Sequence, residues 1–460
     1  MFNKFIERGW VPIDWKTANV SALYKHKGSK SDAANYRPIS LTSHIGKIFE
    51  RILKEAIVVH LENSKSIKNS QHGFRKNRSC LTNLLEFLDE VSDYIDKGVP
   101  IDVIYLDFQK AFDKVPHERL MAKVKALGIT GKVWDWIHNW LLGRKQRVVL
   151  DGFHSNWTDV KSGVPQGSVL GPVLFLIFIN DIDVGIQNSL LKFADDTKIF
   201  GNVGTTEDVE RLKRSLHSLF TWSVDWQMLF NLEKCKVIHM GTGNVNTEYF
   251  IDGVKIQAVE DEKDLGVIIN KDLKVSKQCI KAAKMGNKIL GMINRSFEDK
   301  SKSTILRLYK SLVRPHLDYC SQAWNPYLIK DIKILERVQR RATRMIKECK
   351  GMSYEDRLKK TGLTTLETRR VRADLIEVYK IVNNIDKVDR ELFQWKVGNT
   401  RGNSLKMFKK RFRINIGKYS FSNRVIDNWN KLNNDIVTAK SLNLFKGKLD
   451  SHLRIVAGLI

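Results

Sequence analysis

The sequence predicts an α+β chain with more than one lobe, on three observations. Short apolar, β-rich runs at 103–106 and 190–200 are too brief for helices and read as buried strands. Helical signatures lie at roughly 117–127, 173–179 and 334–347. The chain has 460 residues, more than a typical single domain. Roughly two to four lobes are expected from that length.

The elements follow in order. Val103-Ile104-Tyr105-Leu106 forms a strand that ends at Asp107, with Asp102 just before it. Such a strand delivers a carboxylate at its C-terminal end. Pro116 suits the first turn of a helix over 117–127, and Gly128 ends it. Ser162-Gly163-Val164-Pro165-Gln166-Gly167-Ser168 is a loop whose glycines allow close backbone approach. Pro172 can then open a helix over 173–179 that is apolar all round. It is too short to span a bilayer, so it is expected in a core.

Leu190, Leu191, Phe193 and Ala194 lead into Asp195-Asp196, and Ile199 and Phe200 lead out. That reads as strand, tight turn, strand, with both carboxylates at the tip. A two-residue hairpin turn favours Asn-Gly or Asp-Gly because it needs positive φ. Asp-Asp is a poor choice that also sets like charges side by side. A local rule broken at one point often marks a functional site. Alone, the pair also fits a solvated turn, and Asp107 alone also fits a capping role. Together the three carboxylates are hard oxygen ligands, enough to hold two Mg²⁺ ions with substrate phosphates. Two such ions suit an in-line phosphoryl displacement.

The order of short strings resembles a known family. Asn35-Tyr36-Arg37-Pro38-Ile39-Ser40, Gln71-His72-Gly73-Phe74-Arg75, Asp107 with Phe112-Asp113, Gly163 to Ser168, and Phe193-Ala194-Asp195-Asp196 are similar to a reverse transcriptase. The branch resembled is the non-LTR (LINE-type) retrotransposon one, of the jockey and CR1 kind. The likeness continues through Asn231-Leu232-Glu233-Lys234, Leu265-Gly266, Arg314 to Cys320, Trp324-Asn325-Pro326 and Trp429-Asn430-Lys431-Leu432.

The resemblance implies a right-hand polymerase. An N-terminal segment and fingers would occupy 1–100, and a palm with an antiparallel sheet 101–270. A helical thumb would follow over 271–350, then a basic nucleic-acid-binding region over 351–460. Asp107, Asp195 and Asp196 would bind the metals, with the Phe108 carbonyl nearby. Arg75 would grip the incoming triphosphate, a task that suits a bidentate guanidinium. Phe112 would be the steric gate against ribonucleotides, and Gln166 would position template and nucleotide. Lys234 would protonate the leaving pyrophosphate, and Arg37 would contact nucleic acid. The implied partners are an RNA template, a DNA primer or target, and dNTPs.

Charge supports a polyanion partner. Of the net +27, residues 271–460 carry +25, with 43 Lys and Arg against 18 Asp and Glu. The first 270 residues are nearly neutral, at +2. Within 334–347, apolar residues fall at 334, 335, 338, 342, 345 and 346. Arg337, Arg340, Arg341, Arg344 and Lys347 occupy the opposite face. That face is either a phosphate contact or a solvated surface. Lys406 to Arg413 interleaves basic and aromatic residues, as single-strand binding could use.

Five widely spaced cysteines suggest reduced thiols and an intracellular protein, with no zinc spacing. No signal h-region or membrane-length apolar run is visible, so no membrane partner is expected. The resemblance implies the nucleus for an active element and the cytoplasm for its ribonucleoprotein. An endonuclease lobe is expected in the parent element but would not fit before Arg37, and no ribonuclease H segment is seen. Two alternatives stand beside the polymerase: an inactive truncated copy that only binds RNA or DNA, and a group II intron maturase-like protein.

Overall fold

The computed structural model describes residues 2–26, 28–396 and 402–456. Two five-stranded sheets organise the chain as far as Ala258. The outer sheet holds β1 (Thr17–Tyr24) and β2 (Tyr36–Leu41), paired antiparallel, with β4 (Arg144–Leu150) parallel to β1. Two short strands, β5 (Phe153–His154) and β6 (Thr158–Val160), fold back on β4.

The central sheet is built around β3 (Ile101–Leu106), with β8 (Asp196–Asn202) on one side and β9 (Lys236–Met240) on the other. β7 (Ser189–Phe193) flanks β8, and Gln257–Ala258 flanks β9 in parallel. Both faces of this sheet are covered. Ile104, Leu106 and Ile199 join a core with the helices His44–Asn63, His117–Ala126, Gly131–Leu141, Gly171–Ile179 and Thr206–Asp225. Ile101, Val103, Phe200 and Ile238 join a second core with Cys80–Asp96, Ser276–Ser296 and Ile329–Arg344. Burial on both faces explains why the strands read as continuous apolar runs rather than alternating ones.

The helices expected near the site are present. His117–Ala126 follows Pro116, and Gly171–Ile179 carries Pro172 in its first turn. Every residue of the latter except Pro172 is buried, as its uniform apolarity requires. A third core gathers Leu85 and residues of 375–449, with Trp429 and Phe445 fully buried. Asn430 there exchanges two 2.9 Å hydrogen bonds with the backbone of Met407. The Trp324 indole donates to the Tyr319 carbonyl at 2.8 Å. The tryptophan strings of the C-terminal third are therefore packing elements. All five cysteines are unpaired. Among the described residues, no helix is long and apolar enough to cross a membrane.

Candidate active site

Strand register assembles the three carboxylates. Leu106 pairs with Thr197 across the β3–β8 ladder, so Asp107 leaves β3 beside the start of β8. Phe193 pairs with Asp196, which makes Ala194 and Asp195 the two residues of the turn. The expected Asp195-Asp196 tip is thus shifted by one position. Ala194, at φ +56°, supplies the positive φ, and Asp196 opens β8. A small side chain takes the strained position and leaves both carboxylates on ordinary backbone.

A clamp from the preceding loop holds this turn. The Gln71 side-chain oxygen accepts from the backbone N–H of Gly73 at 2.7 Å and of Ala194 at 2.9 Å. Its amide donates to the Ala194 carbonyl at 3.3 Å. The His72 N–H donates to the Lys192 carbonyl at 2.8 Å, and the Lys192 N–H to the Ser70 carbonyl at 2.7 Å. At Gly73, a Cβ would lie 2.3 Å from the Ala194 nitrogen, so no other residue fits.

Other motif loops converge in the same way. The Asn231 N–H donates to the Asp107 carbonyl at 2.7 Å, and Phe108 stacks on Phe230 at 4.6 Å. This brings Lys234 to Asp107, with its ammonium 3.0 Å from a carboxylate oxygen. On the other flank, the Val164 N–H donates to the Phe112 carbonyl and the Ser40 N–H to the Gln166 carbonyl, each at 2.7 Å. Gly167 approaches Ser40 so closely that a Cβ would sit 2.5 Å from its oxygen. The Gln166 amide reaches Asp113 at 3.4 Å. The Phe112 ring stacks on Phe175 at 4.5 Å and meets Phe74 edge-on at 6.3 Å. Arg37 stands exposed on β2. The Arg75 guanidinium donates to the carbonyls of Lys68 and Gln71, at 2.9 and 3.4 Å. It serves its own loop in this state.

The electrostatics tie the carboxylates together. Burial raises Asp195 above the ordinary carboxylate range, and the Asp107 charge adds to that. Lys234 and Arg37 pull it back down. Burial, then Asp195, Asp264 and Asp107, push Asp196 up to about 7. Asp196 keeps an exposed edge but lines a recess shared with Asp107, Lys234, Asp264 and Phe193. Among the described residues, no group of three His, Cys, Asp or Glu side chains stands ready to hold a metal ion. Lys234 instead takes one oxygen of Asp107. The donor set nevertheless suits a hard divalent cation: carboxylate oxygens whose mutual repulsion such a charge would relieve.

Two buried lysines under the hairpin were not singled out from sequence. Lys192 is fully buried, 3.3 Å from Asp183, and burial pushes it down to about 8. Lys198 is buried against Asp264, which it engages in an ion pair. The available signal was a lysine inside each of two apolar strands, since unpaired lysines are almost never fully buried.

The basic helix runs Ile329–Arg344, five residues earlier and three shorter at its end than expected. Arg337, Arg340, Arg341 and Arg344 are exposed while Leu335, Val338 and Ala342 are buried. Lys347 lies beyond the helix in a 3₁₀ turn, because Ile346 is extended at φ −76° and ψ 120°. Arg341 donates to Asn287, and Arg340 lies 4.1 Å over the Tyr354 ring. In the basic-aromatic segment, Met407 is buried while Phe408 and Phe412 are exposed.

A family profile described as "Reverse transcriptase (RNA-dependent DNA polymerase)" matches residues 25–292. The chain belongs to the reverse transcriptase family. The span includes every loop that meets at the carboxylates, from β2 to Lys234. Similar proteins include the RNA-directed DNA polymerase from mobile element jockey of Drosophila funebris, 26% identical over 85% of this chain and 42% of its own length. That of Drosophila melanogaster is 26% identical over 70% of this chain and 37% of its own. The likeness to non-LTR polymerases is thus shown, and the chain spans about two fifths of the curated relatives' length. A telomerase of Candida tropicalis in complex with a fragment of telomeric RNA overlaps 81% of this chain and 58% of its own. Its TM-score of 0.46 at 10% identity is too low to bear on function. Members of this reverse transcriptase family generally use a divalent metal.

Proposed function

We propose that this chain is the polymerase part of a non-LTR retrotransposon protein, adding dNTPs to a primer 3′-hydroxyl on an RNA template. The observation that carries the reading is the register that sets Asp107 beside Asp195 and Asp196, with the family's loops gathered around them. The central sheet would be the palm, the outer sheet and helices before it the fingers, and the helices after residue 270 the thumb and basic tail.

Asp107, Asp195 and Asp196 would hold two Mg²⁺ ions, with the Phe108 carbonyl alongside. Bound there, the ions would lower the hydroxyl pKa and neutralise the leaving pyrophosphate. The chain's own residues position the reactants. Lys234, its ammonium 3.0 Å from Asp107, would give a proton to the leaving pyrophosphate. Gln166 would hold the nucleotide and template, and Arg75 would leave its carbonyls to meet the triphosphate. Phe112 would lie under the sugar, fixed by Phe175. Such positioning and preorganised charge account for most of the catalysis of phosphoryl transfer.

The test is dNTP incorporation on a primed RNA template with Mg²⁺, comparing the chain with Asp195→Asn. Synthesis that falls by roughly 10²–10³-fold or more in the variant supports the reading. Binding without synthesis by either protein supports an inactive copy instead. A second test asks whether Phe112→Ala admits ribonucleotides; unchanged sugar selectivity removes the gate assignment.

A further inference from the structure

The helix Cys80–Asp96 carries an acidic face, and the C-terminal third is seated on it. Glu86, Asp89, Glu90, Asp93 and Asp96 recur every three or four residues and so lie on one side. The Asp389 N–H donates to Glu86 at 3.3 Å. The Arg390 guanidinium donates to Asp89 at 2.7 Å and to Asp93 at 3.4 Å. At the far end, Asp96 accepts from the N–H groups of Arg413 and Ile414 at 3.0 and 2.9 Å.

From that seat the segment 384–390 reaches the loop that precedes the helix. The Lys387 N–H donates to the Asn77 carbonyl at 2.7 Å, and the Asn77 amide to the Asn384 carbonyl at 3.4 Å. One Arg78 nitrogen donates to both Asp389 oxygens, at 2.7 and 2.9 Å. The Arg78 side chain is only 2% exposed, so water cannot replace this partner. Its other terminal nitrogen lies 3.2 Å from Nε2 of the buried His72. An arginine can only donate, so this imidazole nitrogen accepts. Asp389 is thus linked through Arg78 to the 71–73 clamp, from a position 311 residues further along the chain.

The loop needs such support. Phe74 and Asn77 stand at φ +54° and +62°. A bulky residue at positive φ persists only where its surroundings over-determine it. Arg75 lies between these two residues, with the clamp on one side and the 384–390 segment on the other. Burial and the Arg78 charge lower the Arg75 guanidinium, and the Asp389 charge offsets part of that.

We propose that residues 384–390 brace the Arg75 loop, and that Asp389, acting through Arg78, is a positioning residue for the incoming nucleotide. The proposal rests on the polymerase reading for the nucleotide itself. A loop held at both ends presents Arg75 in few conformations. Releasing it at Asn77 and Arg78 lowers the competent fraction, and apparent affinity falls by that fraction. The carboxylate turn keeps its own clamp from Gln71 and Gly73, so the chemical step should change little.

The test is a dNTP titration on a primed RNA template for the chain, Asp389→Ala and Asp389→Glu, with amide hydrogen exchange measured on the same proteins. Asp389→Ala should raise KM for dNTP about tenfold and leave kcat within about twofold. Exchange should quicken at 74–78 and stay unchanged at 189–202. Asp389→Glu should restore most of the affinity, since a carboxylate still faces Arg78. If Asp389→Ala exchanges faster throughout, and so does not fold, Asp389→Asn gives the same reading with the shape kept. An unchanged KM overturns the proposal, whether or not exchange quickens. A fall in kcat at constant KM also overturns it, because the segment would then serve the carboxylates rather than Arg75. A chain that makes no DNA sinks the polymerase reading, and exchange at 74–78 then decides the brace alone.

Discussion

The two ends of this molecule use charge in opposite ways. The first 270 residues are nearly neutral, and their key groups are fixed by contacts with no slack. Gly73 touches the Ala194 backbone, Gly167 touches Ser40, and Gln71 satisfies two N–H groups at once. The last 190 residues carry almost the whole net charge, and their arginines project from a helix whose other face is buried. One region depends on positions defined to a fraction of an ångström, and the other on a summed field. The first should therefore fail abruptly under a single substitution, and the second should weaken in steps.

After Asp195→Asn itself, the largest effect is expected at Gly73. Gly73→Ala places a Cβ where the Ala194 nitrogen lies, so the turn that carries Asp195 must move. A displacement of about 1 Å at a reacting group costs roughly 10²-fold in rate. We expect incorporation to drop by about that factor while the circular dichroism spectrum is retained. Gln71→Ala should follow in the same direction, because it leaves two backbone donors without a partner, at about 1–3 kcal/mol for each such buried group. Full activity in Gly73→Ala would mean that the turn is not clamped from this side.

The turn also shows what the sequence could and could not disclose. The strands, the helices after Pro116 and Pro172, and the carboxylate pair were legible because periodicity and turn chemistry are local. The exact turn was not, because one position of register separates Asp195-Asp196 from Ala194-Asp195 and is set by the β7–β8 pairing. Gln71 and Gly73 appeared only as letters in a family string. Their role as a clamp needs residues more than a hundred positions away. The Trp429-Asn430 string looked equally distinctive, yet Asn430 serves the backbone of Met407. Lys347 was misplaced because helical periodicity does not register the extended Ile346 that ends the helix.

A graded response should separate the basic region from the catalytic one. Replacing Arg337, Arg340, Arg341 and Arg344 by Gln should weaken RNA binding at low salt. It should also reduce the slope of log K against log salt by roughly one unit per lost phosphate contact. Each single replacement should take about a quarter of that change. Arg341 is the exception to watch, since it already donates to Asn287. An unchanged slope in the quadruple variant would return this face to plain solvent and end the contrast.

The smallest effect is a stability change with pH, and it sharpens the comparison because the basic helix should not share it. Asp196 is raised from 3.8 to about 7 by burial and by its carboxylate neighbours. Its folded pKa lies above the unfolded one, so the folded state binds the proton more tightly between those values. Stability is then greatest below the unfolded pKa and is lost as pH rises from about 4 towards 7. Asp195 and Asp113 are raised in the same direction, so the wild-type slope alone does not isolate Asp196. Asp196→Asn does, by removing the group that must ionise. In urea unfolding with chelator present, the variant should gain stability over wild type at pH 8 and lose that gain at pH 4. Adding Mg²⁺ at pH 8 should stabilise wild type more than the variant, since the ion relieves the repulsion that the substitution has already removed. Parallel curves at both pH values would mean that Asp196 ionises at no cost, and the recess would then lack the electrostatic strain that makes it suited to a divalent cation.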